Sequence, residues 1–251
     1  MRKIKVHRKI LIANEEYAAK NRSFLKDRKI PCLNMISSPG SGKTTLLAKT
    51  IETLRGNLSI GVIEGDIQTD IDAKRIRKAG APAHQINTDG ACHLSAAQIS
   101  HAFHKLPIDR LDLLFIENVG NLVCPSTFDL GETDKIAVLS VPEGDDKPAK
   151  YPMIFARAAA VLINKIDILD ATDFNIQKVK ADISKLNKKT KIFLVSAKTG
   201  EGMKQWCDWL EKLAVNKRTK TAKKLGLVNN PVSHIADVRG YIAAPSGLSS
   251  R

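Results

Sequence analysis

Apolar and polar residues alternate along this chain with two distinct periods. Short, nearly continuous apolar runs occur at 30–36, 58–63, 84–86, 111–117, 135–141, 159–163 and 191–195, and each reads as a buried strand. Between them, apolar residues recur at three- and four-residue spacing over 69–78, 94–105, 175–186 and 202–213, the pattern of helices that bury one face. Residues 1–30 read as an amphipathic helix, with Ile10, Leu11, Tyr17 and Phe24 among its apolar positions, stopped before Pro31. This alternation predicts right-handed βαβ units, and so an α/β fold whose mostly parallel sheet is covered by helices on both faces. Trp206 and Trp209 share one face of the last helix and read as core. In such sheets ligands bind beyond the carboxyl ends of the strands.

Past 217 the periodic pattern gives way to a basic stretch and then to Asn229-Asn230-Pro231 and Pro245-Ser246-Gly247. The expected layout is a helix (1–30) packed on a main domain (31–217), followed by a basic, flexible tail (218–251).

Charge and composition change this picture little. The chain has 251 residues and a net charge of +14. Residues 1–30 carry ten Lys/Arg against three Asp/Glu and 178–224 carry fourteen against four, whereas 31–177 has fourteen against eighteen. The excess therefore sits at the two ends and reads as solvated helix faces that keep the chain in solution. A nucleic-acid partner is disfavoured, because few aromatic residues accompany the lysines. No apolar run is long enough to span a membrane, and the basic start has no hydrophobic segment behind it, so the expectation is cytoplasmic. The four cysteines, at 32, 92, 124 and 207, are scattered and read as reduced thiols.

Chemistry enters after the first strand, at Ser37-Ser38-Pro39-Gly40-Ser41-Gly42-Lys43-Thr44-Thr45. A strand, a small-residue loop and Gly-Lys-Thr opening a helix form a phosphate cradle. Gly40 and Gly42 let successive N–H groups face an anion, and the helix end adds a positive dipole. Lys43 supplies a mobile charge and Thr44 a hydroxyl for Mg²⁺. Pro39, Gly40, Ser41, Gly42, Lys43, Thr44 and Thr45 are the predicted phosphate-binding residues.

The base is read further on. Asp167, in Asn164-Lys165-Ile166-Asp167, offers a carboxylate to the N1–H and N2 amino donors of guanine, which adenine lacks. Lys165 can lie over the base and Asn164 can brace the phosphate loop. Ser196-Ala197-Lys198, after the next strand, can meet guanine O6 through a backbone N–H. Together these predict a P-loop NTPase of the G-domain type that binds GTP. Asp66 and Glu117 follow strands and, with Thr44, are the predicted Mg²⁺ residues. The sequence Glu117-Asn118-Val119-Gly120 stands where small GTPases have Asp-x-x-Gly, and it points to G-proteins that dimerise through their nucleotide sites. Gly120 is the expected γ-phosphate contact. No glutamine follows it to orient a water, so slow intrinsic hydrolysis is expected, with Lys43, Asp66, Glu117 and Gly120 as the catalytic set.

Cys92-His93 and Cys124 fall in loops on the same sheet edge. Two thiolates and an imidazole suit Zn²⁺ or Ni²⁺. By spacing alone, buried thiols and a structural histidine are the commoner explanation.

The runs Ser37 to Leu47, Glu64 to Asp70, Gln85 to Thr88, Cys92-His93-Leu94 and Lys147 to Pro152 resemble the HypB family, GTPases that help insert nickel into [NiFe]-hydrogenase. The Glu117-to-Pro125 run, Glu-Asn-Val-Gly-Asn-Leu-Val-Cys-Pro, is the most diagnostic. The likeness spans about residues 5–213 and includes Ser at the start of the phosphate loop. It implies a GTP-promoted homodimer with a Ni²⁺ (or Zn²⁺) site of Cys92, His93 and Cys124 at its interface. It also implies two protein partners, another nickel accessory protein and the hydrogenase large subunit. Two features depart from the family. The cysteine- or histidine-rich N-terminus of some members is lacking, and Ser95 stands where Asp often follows Cys-His-Leu. The competing readings are a urease-type nickel accessory GTPase, which lacks the Glu117-to-Pro125 run, and a GTP-switched RNA- or ribosome-binding protein, motivated by the basic ends.

Overall fold

The computed structural model describes residues 2–66 and 70–224, with side chains described for 11–66 and 70–215. In chain order the elements are α1 (Arg2–Asp27), β1 (Cys32–Ser37), α2 (Lys43–Leu54), β2 (Ile60–Asp66), α3 (Ile71–Ala79), β3 (Ala83–Asn87), α4 (Ala96–Phe103) and β4 (Leu113–Glu117). There follow α5 (Cys124–Thr127), β5 (Asp134–Ser140), α6 (Lys147–Lys150), α7 (Pro152–Arg157), β6 (Ala158–Asn164), α8 (Ile176–Leu186), β7 (Lys191–Leu194) and α9 (Met203–Lys224). The strands form one sheet in the order β3-β2-β4-β1-β5-β6-β7, and every pairing is parallel.

Period-two alternation sorts the strand side chains between the two faces. Leu33, Met35, Phe115, Val138 and Leu162 pack against Leu46 and Leu47 of α2, Ile76 of α3, and Trp206 and Leu210 of α9. Their neighbours in sequence turn the other way. Leu114 and Ile116 meet Leu25 of α1 and Ile99 and Phe103 of α4. Ile36, Ala137 and Val161 meet Phe155 of α7 and Val179 and Ile183 of α8. Both faces are covered, which is why β1 and β4 read as unbroken apolar runs. Trp206 is fully buried and donates its ring N–H to Thr50 at 3.0 Å, and it stacks on Trp209.

Several expectations need correction. The second strand does not stop before Glu64-Gly65-Asp66 but carries those residues, because β3 pairs them on one side and β4 still pairs Glu64 on the other. Asn34, inside the first apolar run, and Glu64, directly after the second, are fully and nearly fully buried. Between the apolar runs 135–141 and 159–163 lie α6 and α7, and α5, α6 and α7 are short helices with proline in their first turn, where a missing N–H costs nothing. The last helix passes its predicted end at Leu213 and reaches Lys224. The rest of the predicted tail, 225–251, lies outside the described residues.

Candidate functional site

The phosphate loop joins β1 to α2 at the carboxyl edge of the sheet. Gly42 sits at φ +93° as the cap of α2, a left-handed conformation that side chains resist. Lys43 is nearly buried, and its ammonium donates to Ser37 Oγ at 2.8 Å. Ser41 Oγ reaches the same oxygen at 2.5 Å. Serine at the head of the loop thus has a role that glycine could not fill, that of an acceptor for the lysine.

Beside Lys43, three side chains converge. Thr44 Oγ1 donates to Glu117 Oε1 at 2.8 Å. Glu64, paired in register with Glu117 across β2 and β4, is 2% exposed and lies behind it. Burial, and then the adjacent Glu117 carboxylate, push the Glu64 carboxyl well above its ordinary range. Burial raises Glu117 as well, against the pull of Lys43. Glu64 Oε1 and Glu117 Oε2 are buried without a hydrogen-bond partner. Two orphaned carboxylate oxygens next to a threonine hydroxyl form an oxygen donor set suited to a hard divalent cation such as Mg²⁺. Asp66 stands half-buried at the end of the same strand. Glu64 was not among the predicted residues. Its signal was a charge inside an apolar strand, two positions before Asp66 and so on the same strand face.

The base-reading residues are tied to the phosphate loop. Asn164 donates to Ser41 O at 2.9 Å and accepts from the N–H of Ala197 at 3.2 Å, so one side chain joins both loops. Lys165, at φ +65°, extends its ammonium to Gly40 O at 2.7 Å. Ser196 Oγ donates to Asp167 Oδ1 at 2.6 Å, which fixes the carboxylate's orientation and leaves acceptor capacity for a ligand. Thr45 accepts from Arg75 at 3.1 Å, and Lys198 is exposed.

The predicted metal residues do meet. Ligand atoms of Cys92, His93 and Cys124 all lie within 4.8 Å of one another, the one such cluster among the described residues. Cys92 Sγ is 3.4 Å from His93 Nδ1, and the imidazole packs on Phe128 at 3.9 Å between centroids. Partial burial lowers the His93 pKa and so favours the neutral, metal-ready ring. The Cys92 thiol is raised, chiefly by its hydrogen bond with Cys124 and then by burial. Cys32 and Cys207 are buried core thiols.

Two asparagines connect this cluster to the nucleotide edge. Asn121 donates to Cys92 O at 3.3 Å and accepts from Val123 N–H at 2.8 Å, so it holds the two ligand-bearing loops together. Asn118, buried directly after Glu117, accepts from the Leu94 N–H at 3.2 Å and donates to Asn34 Oδ1 at 3.2 Å. Between them lies Gly120. A Cβ built there would fall 2.9 Å from Pro39 Cα, so only glycine lets this loop approach the phosphate loop so closely.

The fold and these loops define a P-loop nucleotide-binding domain with a cysteine-histidine cluster on its binding edge, and residues 31–194 match the family described as "CobW/HypB/UreG, nucleotide-binding domain". The chain is 51% identical over 210 residues to "Hydrogenase maturation factor HypB" of Escherichia coli (strain K12), covering 84% of this chain and 72% of that one. It is 44% identical over 211 residues to "Hydrogenase/urease maturation factor HypB" of Helicobacter pylori (strain J99), with 82% and 86% covered. The crystal structure of HypB from Helicobacter pylori in complex with nickel superposes with a TM-score of 0.77 at 43% identity, covering 82% and 97%. That of hydrogenase maturation factor HypB from Archaeoglobus fulgidus gives 0.76 at 40% identity, covering 81% and 100%. The chain belongs to the HypB family of hydrogenase maturation factors. No described helix is long and apolar enough to cross a membrane.

Proposed function

We propose that the protein is a cytoplasmic GTPase metallochaperone. Its cargo is Ni²⁺ (or Zn²⁺) held by Cys92, His93 and Cys124, and GTP binding and hydrolysis govern dimerisation and release of that cargo for [NiFe]-hydrogenase. The observation that carries this reading is the contact of Gly120 with Pro39, four residues before Cys124. A change in the phosphate loop on gain or loss of the γ-phosphate would press on that glycine and, through the short rigid run to Cys124, on the cluster.

Each residue has a role in this account. The phosphate-loop N–H groups from Gly40 to Thr45, with Lys43, hold the phosphates, and Pro39 shapes the loop before them. Thr44, Asp66 and Glu117, backed by Glu64, would hold Mg²⁺, which when bound offsets phosphate charge as a Lewis acid. Asp167, held by Ser196, accepts from guanine, and Asn164, Lys165, Ala197 and Lys198 frame the base. Hydrolysis is intrinsically slow, because no glutamine follows Gly120 and both ends of the Asn121 amide are occupied by Cys92 and Val123.

The cluster supplies three ligands, Cys92 is exposed and Val123 beside Cys124 is 57% exposed. A second copy across a two-fold axis could complete the coordination, and opening that dimer would strip ligands from the ion. The relative crystallised with nickel supports Ni²⁺ as cargo. The recipients implied are another nickel accessory protein and the hydrogenase large subunit. Gel filtration of the purified protein tests the coupling. A dimer that forms with a non-hydrolysable GTP analogue and dissociates with GDP is expected. One oligomeric state in both, or many turnovers per second without a partner, contradicts the reading.

A further inference from the structure

The two loops that carry the metal ligands are bridged a second time, from a distant part of the sequence. Asn14 and Asn21 lie on one face of α1, seven residues apart, and are 9% and 1% exposed. Asn14 accepts from the Ala96 N–H at 2.9 Å and donates to Asp129 O at 2.8 Å. Asn21 donates to Ala96 O at 2.8 Å and to Leu130 O at 2.9 Å. Ala96 begins α4, three residues after His93. Asp129 and Leu130 follow α5, which starts at Cys124. Each asparagine therefore ties the chain just after His93 to the chain just after Cys124, whereas Asn121 ties Cys92 to the residues just before Cys124.

The contact is close and rigid. Gly131 carries φ +87°, and a Cβ there would lie 2.5 Å from Ala18 O and 2.6 Å from Asn21 Cβ, so α1 rests directly on that backbone. Arg22 adds an ion pair to Asp129. Phe128, on which His93 packs, immediately precedes the clamped residues. A helix that needed only apolar contact with α4 would not require two buried amides that each hydrogen-bond to both of these segments.

We infer that Asn14 and Asn21 are positioning residues for the metal cluster: by clamping the segment after His93 to the segment after Cys124, α1 sets the separation of the ligands. The inference rests on the proposal that Cys92, His93 and Cys124 bind metal. Outer groups that orient ligand-bearing backbone typically change metal affinity by about 10- to 100-fold when removed.

The test uses the full chain with Co²⁺ as a spectroscopic probe and Ni²⁺ in competition. Asn14→Ala and Asn21→Ala are compared with Leu25→Ala, which removes packing from the same helix but keeps both asparagines and their hydrogen bonds. The expected result is Ni²⁺ affinity about tenfold or more lower in each asparagine variant and an altered thiolate-to-cobalt charge-transfer band. GDP affinity should stay near wild type, and Leu25→Ala should lower the thermal midpoint but keep the wild-type band. Asn14→Asp, which still accepts from Ala96 but cannot donate to Asp129 O, should behave as Asn14→Ala. Asn14 is the less buried of the two, so its variants decide the question if Asn21→Ala does not fold. Wild-type metal affinity and spectrum in the asparagine variants, with only the stability loss seen in Leu25→Ala, would overturn the inference. A wild-type protein without a thiolate band, or one unchanged by Cys124→Ala, would overturn the metal assignment itself and this inference with it.

Discussion

Gly120 presses against Pro39 so closely that a methyl group on it would come within 2.9 Å of Pro39 Cα and 3.0 Å of Pro39 N. Both atoms belong to backbone, which cannot yield as a flexible side chain would. Gly120→Ala should therefore displace the phosphate loop or the Gly120 loop. GTP turnover should fall by about 100-fold, the scale of a misplacement near 1 Å. Ni²⁺ affinity should no longer follow the bound nucleotide, since the relay from Pro39 through Gly120 to Cys124 is displaced in every nucleotide state. Wild-type turnover in that variant would show that the contact is incidental.

Asp167 is oriented by Ser196 so that a carboxylate oxygen remains for the base. Asp167→Asn replaces one acceptor with a donor that faces the guanine N2 amino group. Affinity for GDP should fall by about 100-fold or more, as a buried donor loses its partner, while affinity for xanthosine diphosphate should rise. Fluorescence titration with both nucleotides measures the switch.

Glu64 links stability to function. Its raised carboxyl pKa means that the folded state holds a proton that the unfolded state gives up above about pH 4.3. Stability from this group is complete below that pH and declines as pH rises towards the folded value. Glu64→Gln, which has no proton to lose in the buried site, should flatten the decline in nucleotide-free, Mg²⁺-free protein and be the more stable of the two at pH 8. At this chain length each kcal/mol corresponds to about 2–4 °C in Tm. GTP hydrolysis should drop at the same time. Thermal melts at pH 5 and pH 8 that shift in parallel for both proteins would contradict this.

Cys124 begins α5 and reaches the cluster from a segment remote from Cys92 in sequence. Cys124→Ala should reduce Ni²⁺ binding by at least about tenfold and leave GTP affinity nearly intact, because metal ligation and nucleotide binding use separate side chains. Metal stoichiometry by atomic absorption, unchanged in the variant, would exclude the site.

Local motifs were legible because they carry their own geometry. Gly42 and Lys43 shape the phosphate loop whatever surrounds them, and Asn164 to Asp167 lie within a single turn after one strand. The parallel sheet followed from the spacing of apolar runs. Glu64 falls just outside the apolar run 58–63, since a charged residue ends a strand by composition, and only pairing with both β3 and β4 explains its place. The clamps of Asn14 and Asn21 join residues 75 to 115 positions apart, and the Gly120–Pro39 contact is similarly remote. Such contacts depend on how helices settle on the sheet, and no short-range pattern encodes them.

The coupling of nucleotide state to metal binding is tested most directly by titrating Ni²⁺ into the protein loaded with GDP and with a non-hydrolysable GTP analogue, with oligomeric state followed in parallel. The account predicts different Ni²⁺ affinity in the two states, with the tighter site in the GTP-bound dimer. Identical Ni²⁺ isotherms with both nucleotides would contradict it.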